Sequence, residues 1–312
     1  MGVKLLYGAL FAAFLSTTAY AAEPDSCKTV RMSDPGWTDI TSTDSLASVV
    51  LKGLGYTPEV KTLAVPIGFQ SLKTKDIDVF LGNWMPSHQK FRSELEAANA
   101  IDVVGKNLDG AKFTLAVPRY VSDAGVKDFK DLAANADKFN KSIYGIEPGA
   151  VANVNLSNAI EAGDFGLSGW KVVESGEQGM LSQVQKMEKT KDWIVFLAWA
   201  PHPMNTKFDI TYLSGGDKIF GPNYGGAEVD TITRKGYSDE CPNVGKLLKN
   251  LVFNLDIENQ MMGLILDDGM DGEAAAQKWL AANPGVLDKW LDGVTTIDGK
   301  PGLPAVQASL KS

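Results

Sequence analysis

The chain has 312 residues, 44% of them apolar and 22% charged, and its 38 acidic side chains outnumber 30 Lys and Arg for a net charge of −8 at pH 7. That acidity disfavours nucleic acid and anionic membrane surfaces as partners, and it suits a protein that gathers a cation. The apolar share excludes a disordered chain, and the length predicts two domains.

Residues 1–21 read as an export leader: Lys4, an apolar run from Leu5 to Leu15, then Ala19-Tyr20-Ala21. The run is too short to span a bilayer, so cleavage near Ala21 and a soluble, exported chain are expected. A retained amphipathic anchor is the alternative. Cys27 and Cys241 are the two cysteines. In an oxidising compartment an isolated pair is expected to form one disulfide, with two free thiols as the alternative. With no CxxC and two histidines, neither a structural metal nor a cofactor is expected.

Strand and helix signals then alternate. Strands are predicted over 29–32, 59–65 and 78–81, with helices over 44–54 and 69–73 between them. A second alternating run starts near Lys112: strands over 113–118, 142–146, 170–174 and 193–197, and helices over 153–162 and 177–189. Helices over 243–253, 258–267 and 271–283 close the chain. This alternation predicts an α/β fold with mainly parallel sheets flanked by helices. In such sheets ligands sit off the carboxyl ends of strands, often in a cleft between two lobes.

Three tryptophans follow predicted strands on that side: Trp37 in Asp34-Pro35-Gly36-Trp37-Thr38-Asp39, Trp84 in Gly82-Asn83-Trp84-Met85-Pro86, and Trp199 in Trp199-Ala200-Pro201-His202-Pro203. An indole face attracts a methylated cation, which has no N–H to donate and is held by cation–π contact and shape. Trp170, Trp193, Trp279 and Trp290 are assigned to packing. Phe113 is either core or a wall of the same site. Asp39 is either a helix cap or a counter-charge. His202 either orders its proline-flanked loop or donates to a ligand carboxylate. Asn153 and Asn155 either cap the helix over 153–162 or reach the cleft from its start. His88, in Ser87-His88-Gln89-Lys90, reads as solvated surface. No GxSxG, HExxH or GxxxxGK[ST] is present, so a binder is expected rather than an enzyme, with a hydrolase the weaker reading.

Several segments carry a resemblance to a known family. They are Gly36-Trp37-Thr38-Asp39-Ile40, Asp76-Ile77-Asp78-Val79-Phe80-Leu81-Gly82-Asn83-Trp84-Met85-Pro86, Ile143-Tyr144-Gly145-Ile146, Glu177-Gln178-Gly179-Met180, Pro201-His202-Pro203-Met204-Asn205, Gly221-Pro222-Asn223-Tyr224-Gly225-Gly226 and Cys241-Pro242-Asn243-Val244-Gly245. The chain resembles the periplasmic substrate-binding proteins of ABC importers for choline, glycine betaine and carnitine. The resemblance implies a two-lobe periplasmic binding protein fold of the type II kind, closing on ligand in the inter-lobe cleft. It implies lobe I over 22–112 with 210–312 and lobe II over 113–209, with crossings near 111–115 and 206–211. It also implies a monomer that delivers a quaternary ammonium ligand to an inner-membrane permease, or alternatively to a sensor.

Carried over by motif, the cation box is Trp37, Trp84, Phe113 and Trp199, with Asp39 nearby. Phe113 stands where the choline branch resembles a Tyr, Ala150 where it has an Asn, and Ala200 where it has an acid. Losing those polar groups tilts the expected ligand slightly from choline toward carnitine or a betaine. The expected ligand-binding residues are therefore Trp37, Asp39, Trp84, Phe113, Ala150, Asn153, Trp199 and His202.

Overall fold

The structure is a computed structural model and describes residues 23–311; the expected leader lies outside the described residues. Nine strands form one curled, mixed sheet. They are β1 (Thr29–Asp34), β2 (Thr57–Thr62), β3 (Val79–Met85), β4 (Ile101–Pro118), β5 (Ser142–Tyr144), β6 (Lys171–Val173), β7 (Phe196–Ala200), β8 (Ile210–Tyr212) and β9 (Gly226–Arg234). Their order is β2-β1-β3-β9-β4-β7-β5-β6, with β8 also on β4.

The two ends of this sheet are parallel, as the alternation predicts. β1 pairs parallel with β2 and β3, and β5 pairs parallel with β6 and β7. The centre is not. β4 and β9 run antiparallel to every neighbour. β4 is 18 residues long, well beyond the usual strand. It pairs with β9 through Lys112 and with β7 from Lys112 onward.

The return passage was expected near 206–211. There β8 pairs antiparallel with Ala116–Pro118. Pairing with the 101–112 part of β4 begins at Gly226. Gly225 makes that turn possible, with φ of +67° and a backbone so close that a Cβ would run into the Phe113 carbonyl.

Two apolar cores hold the lobes. The larger gathers Leu46, Val50 and Leu51 of the helix Thr38–Gly53, and continues through Leu115, Val117, Phe129, Ile143 and Phe196. The smaller packs Val65, Phe69 and Leu72 of the helix Val65–Thr74 against Phe80, Leu95 and Ile232. Asp78 pins β1 to β9: it accepts from Arg31 Nε at 2.8 Å and from Arg234 Nε at 2.7 Å. Burial alone would raise its pKa, but the two guanidiniums hold the carboxyl below its ordinary value.

The expected disulfide is present. Cys27 and Cys241, 214 residues apart, are joined with Cα atoms 5.6 Å apart. A crosslink closing so long a loop mainly constrains the unfolded chain. The double variant Cys27→Ala with Cys241→Ala is therefore expected to lose about 2–5 kcal/mol of stability in a denaturant titration. A midpoint equal to that of the unchanged protein would show that the bond adds nothing.

Candidate ligand-binding site

Local structure sets each aromatic wall. β1 ends at Asp34, whose Oδ1 accepts from Gly36 N at 2.6 Å and whose Oδ2 accepts from Thr41 Oγ1 at 2.6 Å. Gly36 takes a φ of +88°, which a β-carbon would oppose, and the chain turns to present Trp37 at the start of the helix Thr38–Gly53. Trp84 sits near the end of β3 and Trp199 near the end of β7, within the strands rather than in the loops after them. Phe113 on β4 stands directly opposite Trp199 in the antiparallel register. A cross-strand pair of this kind places two rings on one face.

These rings meet around one cavity. Trp84 and Phe113 have centroids 6.2 Å apart, and Phe113 meets Trp199 edge to face at 6.1 Å. Trp37 lies over His88 at 6.0 Å with planes 28° apart. Trp37, Trp84, Phe113, Trp199, Asp39 and Ala150 all line the cavity. Ser87, His88, Ile146, Val151 and Ala152 complete the wall, and no Lys or Arg contributes. Six of the eight residues expected from sequence are thus brought together.

Asn153 and His202 are not among the lining residues. The Asn153 side chain is spent on the turn beside it: Nδ2 donates to Ile146 O, Glu147 O and Glu174 Oε1, and Oδ1 accepts from Ile146 N. His202 lies behind Trp199, its ring centroid 4.9 Å from the indole, and bonds to Glu177.

Asp39 is fully buried. It accepts from Trp84 Nε1 at 3.1 Å through Oδ2, while Oδ1 has no partner among the described residues. Burial first, then the nearby Glu177 and Asp34, push its pKa up to about 8. The carboxyl holds a ring of the cavity wall, and the helix Thr38–Gly53 has no cap bond from the side chain of Trp37 at its start.

The described surroundings match a known protein class. The family described as "Substrate binding domain of ABC-type glycine betaine transport system", OpuAC, matches residues 28–282. The chain belongs to this family. Its members are transport substrate-binding proteins rather than enzymes. An ABC-transporter choline-binding protein solved in complex with choline is 55% identical over 92% of this chain and 100% of its own, with a TM-score of 0.91. A choline-binding protein in an unliganded semi-closed conformation is 54% identical at the same coverage, with a TM-score of 0.85. The "Glycine betaine/carnitine transport binding protein GbuC" of Listeria monocytogenes is 36% identical over 54% of each chain. The two-lobe fold of OpuAC-type proteins is thereby established for this chain. Among the described residues, no helix is long and apolar enough to cross a membrane.

One wall of this OpuAC-family cavity is absent from the sequence reading. His88 was expected at the solvated surface, yet it is 2% exposed. Its backbone N–H bonds to Trp84 O at 2.9 Å, and this turn swings the ring beneath Trp37 against Phe69 and Phe80. Burial drives its pKa down to about 3, so the imidazole is neutral, and Nδ1 has no partner among the described residues. The four-residue spacing from Trp84 was the available signal; the polar neighbours Ser87, Gln89 and Lys90 masked it.

Proposed function

We propose that this chain is the periplasmic solute-binding component of an ABC importer, working without chemistry of its own. It captures a quaternary ammonium compound between its lobes and hands it, as a monomer, to an inner-membrane permease. The observation that carries the reading is the cavity of Trp37, Trp84, Phe113 and Trp199 with no Lys or Arg among its lining. Each cation–π contact contributes about 0.5–2 kcal/mol, so three or four support micromolar or tighter capture. We assign 23–112 and 226–311 to lobe I and 113–225 to lobe II, following the strand pairing.

Within that ligand class, carnitine or a betaine is slightly favoured. The helix Val151–Glu161 starts at Ala150 with no side-chain cap, and Ala150, Val151 and Ala152 all line the cavity. Open N–H groups at a helix start favour a carboxylate. The unpartnered, neutral His88 adds a second polar group for that acid end. A choline-specific protein is the second reading, supported by the 55% identical relative whose structure holds choline. Calorimetric titration with glycine betaine, carnitine and choline separates the two: carnitine or glycine betaine is expected to bind tightest. A preference for choline selects the second reading, and no binding below millimolar by any of the three rejects the ligand class.

A further inference from the structure

The segment Glu177-Gln178-Gly179-Met180 has no role in the cavity, yet Glu177 is buried at 3% exposure on the opposite lobe from the residues it bonds. Its Oε2 accepts from the backbone N of Thr38 at 2.9 Å, and its Oε1 from Thr38 Oγ1 at 2.6 Å. A carboxylate from lobe II thus caps the first turn of a lobe I helix, where the helix dipole favours negative charge. Oε1 also meets His202 Nε2 at 3.1 Å. His202 Nδ1 accepts from Met204 N at 2.9 Å, which leaves Nε2 as the nitrogen that carries the proton and donates to Glu177. Pro201 and Pro203 flank this histidine and fix its loop.

The neighbouring residue is the cavity wall itself. Trp37 Nε1 donates to Glu147 Oε2 at 2.9 Å, again from lobe I to lobe II. Consecutive residues, one touching the cavity and one not, are therefore each held by a glutamate of the opposite lobe. We infer that Glu177, oriented by His202, is the latch of the closed lobes: a positioning residue that locks Trp37 against the ligand by gripping Thr38. The latch is made only when the lobes meet, so it stabilises the closed state and governs ligand escape rather than capture.

The inference rests on the ligand reading above, and its test separates the two. Ligand dissociation is followed by stopped-flow tryptophan fluorescence with glycine betaine, carnitine and choline each as probe. Removing one partner of a buried, hydrogen-bonded charge acts mainly on dissociation, so Glu177→Gln is expected to speed it at least about tenfold while association stays within about threefold. Thr38→Val, which removes the hydroxyl and leaves the backbone N–H, is expected to speed dissociation by a smaller factor. Thr38→Ser restores the hydroxyl and the slow rate. The melting temperature of the ligand-free variants, read in parallel, identifies any loss that comes from misfolding. An unchanged dissociation rate in both Glu177→Gln and folded Thr38→Val overturns the latch. Failure of the unchanged protein to bind any of the probes overturns the ligand reading instead.

Discussion

Replacing Trp84 with Ala is expected to weaken quaternary ammonium binding at least about tenfold, the equivalent of 1.4 kcal/mol, by calorimetry. Three losses add. The cation loses an indole face worth about 0.5–2 kcal/mol. Phe113 loses the ring that flanks it at 6.2 Å and can shift out of its position opposite Trp199. Asp39 loses its Nε1 donor, and since Oδ1 already has no partner among the described residues, the carboxyl is left with neither oxygen satisfied. Trp84 is also a core residue, so the variant should lose about 3–5 kcal/mol of stability, and the measurement belongs at a temperature where it remains folded. Trp84→Phe keeps an aromatic face without the N–H and should fall between the two. A folded Trp84→Ala variant that binds as tightly as the parent would sink the aromatic-cavity hypothesis.

What the sequence made legible follows from what each signal depends on. The helix predicted over 177–189 runs over Glu177–Thr190, and the strand predicted over 142–146 runs over Ser142–Tyr144, because both rest on local periodicity and turn residues. The helix predicted from 44 begins at Thr38, since Asp39, Ser42 and Thr43 look polar and turn-like but are buried by other parts of the chain. The tryptophans were legible as a group because indoles beside Gly and Pro have few local packing partners. His88 and Glu177 were not. Each looks like a solvated polar residue in its own segment, and its meaning comes from a ring or a helix start supplied elsewhere; for Glu177 that start is 139 residues away. His202 shows the converse. Its flanking prolines made it look poised for ligand, but the atom it serves is a carboxylate one layer further out.

Ligand affinity is expected to rise with pH between about 6 and 8, and Asp39 sets the direction. In the empty cavity burial, then Glu177 and Asp34, hold its pKa up at about 8, so below that pH it carries a proton. A cation entering beside it favours the ionised form, lowers the pKa and expels the proton. Binding that releases a proton strengthens as pH rises, by up to about tenfold per unit while the free form is protonated and the bound form is not. Above about 8 both forms are ionised and the affinity levels off. His88, driven down to about 3 by burial, stays neutral through this window and does not compete. Asp44 and Glu258, buried close enough to feel Asp39, are both pushed well above their ordinary values, chiefly by burial. The ligand-free fold should show the opposite trend. A carboxyl whose folded pKa is raised binds more protons folded than unfolded, so the stability it confers falls as pH climbs from about 4 toward 8. The discriminating measurement is calorimetry at pH 6, 7 and 8 in buffers of differing ionisation enthalpy, which counts the protons released. Asp39→Asn, which cannot titrate, is expected to flatten the profile. A parent profile that is already flat, with no proton released, would place the cation out of reach of Asp39.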